Sequence, residues 1–431
     1  FNKEILMNRR EFLKNSLAMA ALGSFSSVVA DTVTSKDIIT AKDAVTSQET
    51  AGKPISVVRR KHPKTGISAP LLGYGLMRMP RMEADSQKID YKAGEKLIQR
   101  AMEVGINYFD TAYMYHGGQS EVFAGDILSK YPRDSFLLAS KMPVRMLRSK
   151  EDLDRIFNEQ LKKCKTEYFD VYLLHNLNRH SWNTVEKFQV FEYCKEKQKQ
   201  GKIKMLGFSF HDEPELLKVI AEAYPWDVAQ IQLNYLDWDL YRSREQYEIL
   251  TKLNIPVIVM EPLRGGGLAT LKPDATAILR KAQPNASTAS WAFRFAGSLP
   301  NVWVVLSGMT YYEHLEDNIK TMTQFHELTQ EEKKVLNQAL LASRTAGSIP
   351  CTTCRYCVPC PVGVDIPRIF ALYNDYKSSG NFFSFSRIYN NMAENHKASA
   401  CIECNACVSK CPQYIKIPTQ LKKIVRELEG K

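Results

Sequence analysis

What this 431-residue chain lacks narrows it first. Only Cys164 and Cys194 precede residue 351, so no disulfide framework holds the long first part together. No run of like charges reaches five residues and no aromatic residues interleave a basic stripe. The formal charge of +11 therefore does not point to nucleic acid as a partner. Past the first thirty residues no segment is apolar enough to cross a membrane. No Gly-x-Gly-x-x-Gly turn follows the first expected strand, which weighs against a doubly wound open sheet, the main alternative architecture. With 44% apolar and 24% charged residues, the composition is globular and the length suits one large domain plus a small one.

Residues 1–30 are a separate matter. Asn8-Arg9-Arg10-Glu11-Phe12-Leu13-Lys14 places paired arginines before an apolar stretch from Ser16 to Phe25. Val28-Val29-Ala30 then offers small residues for cleavage before Asp31. The stretch is too short to span a bilayer and resembles a twin-arginine export signal; an amphipathic N-terminal helix is the alternative. Met7 reads as the natural start, with Phe1 to Leu6 an over-extension. Residues 31–53, rich in Thr, Ser, Asp, Lys and Ala, read as a flexible linker. Export in the folded state to the periplasm is the expected route, with a cytoplasmic location as the alternative.

From Leu71 to Met322, short apolar runs alternate with longer amphipathic ones. The expected strands are Leu71–Gly75, Asn107–Asp110, Phe136–Lys141, Val171–His175, Met205–Ser209, Ile231–Asn234, Pro256–Glu261 and Val302–Ser307. Helical patterns such as Ala93–Val104, Asp152–Cys164 and Val185–Lys199 lie between them, and Gly105, Gly201 and Asn254 fall where helices should stop. Eight strands joined by crossovers predict an α/β (β/α)₈ TIM barrel over residues 54–346. A further helix is expected at Leu328–Ser343. Residues 347–431 then form a second, mainly α-helical domain.

Reactive groups of such a barrel sit at the C-terminal strand ends. Asp110, Tyr115, Lys141 and His175 stand there, on successive loops. An ammonium held by a carboxylate is expected to lower the pKa of a neighbouring phenol. That phenol could protonate a carbonyl oxygen as hydride arrives, with the imidazole orienting the oxygen. Taken singly, each of these residues is as readily structural.

These residues lie in motifs that resemble the aldo/keto reductase family: NYFDTAYMYHGGQSE, LLASK, DVYLLHNL, KIKMLGFSFHD, IQLNYL, VMEPLRGGGLA and VVLSGMTYYEHLEDNI, within residues 55–325. The resemblance implies a catalytic tetrad of Asp110, Tyr115, Lys141 and His175, with Tyr115 the general acid. It implies NADP or NAD as cofactor, with contacts from Asn176, Ser209 and Gln232 to the nicotinamide. Met260 stands where many relatives stack a tyrosine on that ring, and Leu263 and Arg264 follow in the seventh loop. Ser307, Gly308, Met309, His314, Asp317 and Asn318 are implied around the adenosine end. No fixed cation for a 2′-phosphate stands in that loop, which keeps NAD open. Met114, His116, Arg145, Asn178, His180 and Trp238 are expected in the substrate loops.

The tail holds eight cysteines. Cys401-x-x-Cys404-x-x-Cys407-x-x-x-Cys411-Pro412 has the bacterial ferredoxin spacing. Cys351, Cys354, Cys357 and Cys360 repeat it with the last gap one residue shorter. Zinc in two Cys₄ sites and disulfides are the alternatives; triple C-x-x-C spacing ending in Cys-Pro favours iron–sulfur. The expected arrangement is two [4Fe–4S] clusters with exchanged fourth ligands. One takes Cys351, Cys354, Cys357 and Cys411, and the other Cys401, Cys404, Cys407 and Cys360. The whole resembles the aldo/keto reductase branch with a C-terminal 4Fe–4S ferredoxin-type domain.

The expected function is oxidoreduction of a small-molecule carbonyl or alcohol, coupled through the clusters to an external electron-transfer partner. A cluster protein whose barrel serves only for docking, and a reductase with purely structural clusters, are the competing readings.

Overall fold

The computed structural model describes residues 56–429 apart from 84–85, 344–346 and 380–381. The expected signal and linker lie outside the described residues. An antiparallel pair, β1 (Arg59–Lys61) and β2 (Ser68–Pro70), precedes the barrel. The barrel strands are β3 (Leu72–Gly75), β4 (Tyr108–Asp110), β5 (Leu137–Met142), β6 (Phe169–Leu177), β7 (Ile203–Phe210), β8 (Val228–Gln232), β9 (Val257–Met260) and β10 (Val302–Ser307). They are parallel and close in the order β10-β3-β4-β5-β6-β7-β8-β9.

Strands covered on both faces read as unbroken apolar runs, and β6 is buried at every position. One face packs on the helices; the other fills the barrel with Tyr108, Ala139, Val171, Leu173, Met205, Val228, Ile258, Trp303, Val304 and Leu306. Ala69 of β2 joins that interior cluster, and His62 stands edge-on to Trp303 at 5.0 Å.

Two expectations shift. The strand placed at Ile231–Asn234 runs instead from Val228 to Gln232. The helix expected over Val185–Lys199 is two helices, Arg179–Phe188 and Val190–Lys199, parted at Gln189 with φ 55°. Gly105, Gly201 and Asn254 do take positive φ at helix ends.

In the tail the described residues form three α-helices, Ile366–Ser379, Phe382–Asn390 and Ile417–Glu429, two short 3₁₀ turns and no strand. Ile366, Ile369, Phe370, Tyr373, Phe385, Ile417, Leu421 and Ile424 make a core of their own, each worth about 1.5–3 kcal/mol relative to exposure. Glu427 ties the first helix to the last, accepting from Tyr373 at 2.7 Å and Tyr376 at 3.0 Å and pairing with Lys377.

The tail rests on the C-terminal mouth of the barrel. The Thr352 carbonyl accepts from Arg78 at 2.9 Å, and the side-chain amides of Gln413 and Gln232 exchange hydrogen bonds of 2.7 and 3.1 Å. Gly265, at φ 69°, passes directly under Thr352, where a Cβ would collide with the Thr352 backbone. Among the described residues no helix is long and apolar enough to cross a membrane.

Candidate active site and cluster-binding cysteines

The two-residue period of a strand builds the site. Tyr108, Ala139 and Leu173 fill the barrel interior. Two residues further along β4, β5 and β6 stand Asp110, Lys141 and His175, one layer nearer the mouth. The same step leads from Gly207 to Ser209, from Val228 to Gln230 and from Ile258 to Met260. All of these line one cavity of about 680 Å³, a size that suits a cofactor site.

Lys141 is fully enclosed and donates to Asp110 Oδ1 at 2.6 Å and to the Thr111 carbonyl at 2.7 Å. Burial raises Asp110 and lowers Lys141, and their mutual attraction opposes both shifts. Glu121 and Gln160 brace the strand behind them: Gln160 donates to the Lys141 carbonyl at 3.0 Å, and Ser140 donates to Glu121 at 2.6 Å. Tyr115 opens a 3₁₀ turn beyond β4. Its ring lies 5.0 Å from Lys141 Nζ and stands edge-on to His175 at 6.0 Å. Burial, then repulsion by Lys141, holds His175 well below the ordinary imidazole range; it is neutral.

The expected lowering of the Tyr115 pKa does not occur. Burial, then the neighbouring Tyr356 and Asp110, hold it well above the usual phenol value. Tyr115 therefore stays a protonated donor.

Of the residues implied for the nucleotide, Ser209, Met260, Leu263, Ser307, Gly308, His314, Asp317 and Asn318 line the cavity with the tetrad. Four do not. Gln232 sits one layer above, bonded to Asp237 at 2.7 Å and to Gln413; Gln230 lines the wall in its stead. Arg264 turns to Asp237 at 3.0 Å and acts on Cys351, away from the nucleotide space. Met309 packs into the core between barrel and helices. Asn176, at φ 57°, lies behind the wall and donates its N–H to Ser209 Oγ at 2.7 Å.

The cavity fits a nicotinamide by its unspent polar atoms. Gln230 Oε1, Asp110 Oδ2 and His175 Nδ1 are buried without a protein partner. Buried acceptors without partners are costly and ask for a donor such as a carboxamide. At the far end Glu313 and Asp317 line the cavity, with no lysine or arginine from that loop.

None of the expected substrate-loop residues lines the cavity. His116 turns inward to accept from the Met79 N–H at 3.2 Å, Asn178 caps the helix Arg179–Phe188, and Trp238 packs on Tyr247 and Phe295. Sequence reasoning missed Arg78, His211 and Glu261, and above all that the tail lines the cavity, through Tyr356, Pro412, Gln413 and Cys354, expected only as a cluster ligand. His211, pushed down to about 4 by burial, is neutral. Glu261 lies 3.8 Å from Arg78. Tyr356 was visible as an aromatic residue inside a cysteine run, but nothing local told which way it faced.

The cysteines divide as expected. Cys351, Cys354, Cys357 and Cys411 ring one small cavity, and Cys360, Cys401, Cys404 and Cys407 ring another. None is in a disulfide. Burial first, and then their neighbours' charges, push Cys351 up to about 11 and Cys354 to about 12. Thiols facing each other in fours form a soft donor set suited to an iron–sulfur cluster. Among the described residues no three His, Cys, Asp or Glu side chains converge as a site for a single ion. Cys164 and Cys194 are buried core thiols.

Comparisons with known proteins agree with this geometry. The aldo/keto reductase family model matches residues 71–340, and the 4Fe-4S dicluster domain matches residues 350–416. The chain belongs to the aldo/keto reductase family and carries a 4Fe–4S domain behind the barrel. It is 26% identical over 271 residues to an uncharacterized oxidoreductase, YqkF, of Bacillus subtilis, covering 56% of this chain and 85% of that one. It is 24% identical over 224 residues to the NADH-specific methylglyoxal reductase of Escherichia coli, covering 47% and 66%. The fold is similar to that of the holo form of the aldo-keto reductase AKR11C1 from Bacillus halodurans, with a TM-score of 0.54 and 22% identity over 66% of this chain and 96% of that one. A Klebsiella pneumoniae aldo-keto reductase in complex with NADPH gives a TM-score of 0.51 and 20% identity, covering 63% and 92%.

Proposed function

We propose that the chain interconverts a carbonyl and an alcohol by hydride transfer, and that two [4Fe–4S] clusters link this chemistry to a redox partner. One observation carries the reading: a buried Lys141–Asp110 pair beneath Tyr115, with neutral His175 beside it, all facing one cavity. A bound nicotinamide supplies the hydride with its electron pair, and bound clusters carry one electron each.

The chain's own residues do the rest. His175, uncharged, orients the carbonyl oxygen without competing for the proton. Tyr115 gives its hydroxyl proton to that oxygen as the C=O bond becomes C–O–H; a positioned acid contributes about 10²–10⁴-fold. Lys141, held by Asp110, then balances the charge left on the phenolate until solvent returns the proton. Ser209 and Gln230, which line the cavity, would hold the carboxamide. Glu313 and Asp317 disfavour a 2′-phosphate, which supports NAD over NADP. Cys351, Cys354, Cys357 and Cys411 hold the cluster nearer the site, because Cys354 also lines the cavity. The paired arginines Arg9 and Arg10 support export in the folded, cluster-loaded state.

Anaerobic purification with iron, sulfide and nicotinamide counts, followed by assay of Tyr115→Phe, tests the reading. Loss of turnover with nicotinamide binding kept supports it. Undiminished turnover makes the barrel a docking module. Clusters that stay inert in an EPR potentiometric titration, while turnover persists, leave them structural.

A further inference from the structure

Tyr356 lies between two cysteines of the first cluster set, Cys354 and Cys357, yet it faces the cavity of the barrel. Its ring stands edge-on to His175, centroids 6.5 Å apart at 79°. Its hydroxyl neighbours that of Tyr115. On another side the Arg145 guanidinium lies over the ring at 5.9 Å. Behind it the loop is pinned by Thr352 to Arg78, and Gln413 beside it is pinned to Gln232. The ring is thus held against the two groups that would grip a carbonyl oxygen. The carbon skeleton of a substrate must lie alongside it.

We propose that the tail supplies a wall of the substrate site and that Tyr356 is its specificity-determining residue. The inference rests on the carbonyl reading above. A flat ring with one hydroxyl admits small or planar carbonyl compounds, such as 2-oxoaldehydes and aromatic aldehydes, and excludes branched bulky ketones. Its hydroxyl donates to a second oxygen next to the carbonyl, which favours the 2-oxoaldehyde. None of the loop side chains expected from the sequence lines the cavity; Arg78, His211 and Glu261 from the barrel loops do, and the tail completes the wall.

The test uses the full, cluster-loaded protein and its Tyr356→Ala and Tyr356→Phe variants. Three probes serve: methylglyoxal, benzaldehyde and a branched aliphatic ketone. Nicotinamide Kd and iron content check the fold. Tyr356→Ala should raise the kcat/KM of the branched ketone relative to benzaldehyde by about 10-fold or more, the effect of one pocket contact. Tyr356→Phe, which keeps the ring, should raise KM for methylglyoxal by about 2- to 10-fold with benzaldehyde unchanged, the loss of one hydrogen bond. If Tyr356→Ala loses iron, the Phe variant decides alone. Ratios unchanged in an active enzyme overturn the proposal by itself. An unmodified enzyme that binds nicotinamide but turns over none of the probes overturns the reductase reading, and this proposal with it.

Discussion

Replacing Lys141 by Met should destabilise the barrel in a pH-dependent way. Lys141 and Asp110 side chains are 1% and 3% exposed, with Nζ 2.6 Å from Oδ1. The other carboxylate oxygen already lacks a protein partner, so the variant leaves Asp110 with no counter-charge. Breaking a buried pair from one side costs about 3–5 kcal/mol. At about 2.1 cal/mol/K of unfolding entropy per residue, over a barrel of roughly 290 residues, that is a fall of about 5–8 °C in Tm.

The pH dependence follows from the direction of the shift. Burial already raises Asp110, and Lys141 opposes it; removing the lysine raises Asp110 further. A group raised in the folded state lends stability below its unfolded pKa, and that stability is lost as pH rises through the folded value. The gap between the variant and the unmodified protein should therefore be widest near pH 8 and narrow toward pH 4. Asp110→Asn with Lys141→Met should recover much of the loss, since replacing both partners is close to neutral. Anaerobic thermal melts by circular dichroism measure it. A gap under about 1 kcal/mol at pH 8, or one that does not change with pH, would refute the view of Asp110 and Lys141 as a mutually dependent charged pair.

Three further outcomes are expected. Gly265→Val should force the tail off the barrel mouth, because its Cβ would meet Thr352; limited proteolysis near residue 347 should speed up, with the barrel's own melt little changed. Cys411→Ser should damage the cluster of Cys351, Cys354 and Cys357 while sparing that of Cys401, Cys404 and Cys407, and Cys360→Ser the reverse. EPR of the two single variants reads this, and damage confined to each cysteine's own run would refute the exchange. Isothermal titration should show NADH bound more tightly than NADPH, with Asp317→Asn narrowing the difference; tighter NADPH binding would remove the role given to the acidic end.

Some of this was legible in one dimension because it is local. Apolar runs spaced by amphipathic helices fix a parallel barrel, since parallel strands need crossovers long enough to hold a helix. Asp110, Lys141 and His175 could be read at strand ends because period-two alternation carries an interior face outward to the mouth. The C-x-x-C spacing gave the ligand type, and the short gap before Cys360 already hinted at exchange.

Other features depend on register and packing. Gln230 and Gln232 share one strand face, and only packing decides that Gln230 lines the cavity while Gln232 bonds Asp237 and Gln413. The burial of Tyr115 beside Tyr356 and Asp110, which keeps its phenol protonated, is a matter of packing. So is the part played by the tail. Sequence separates barrel and cluster domain by more than two hundred residues between Tyr115 and Tyr356, and only folding, which sets Thr352 over Gly265 and Gln413 against Gln232, brings the two phenols together.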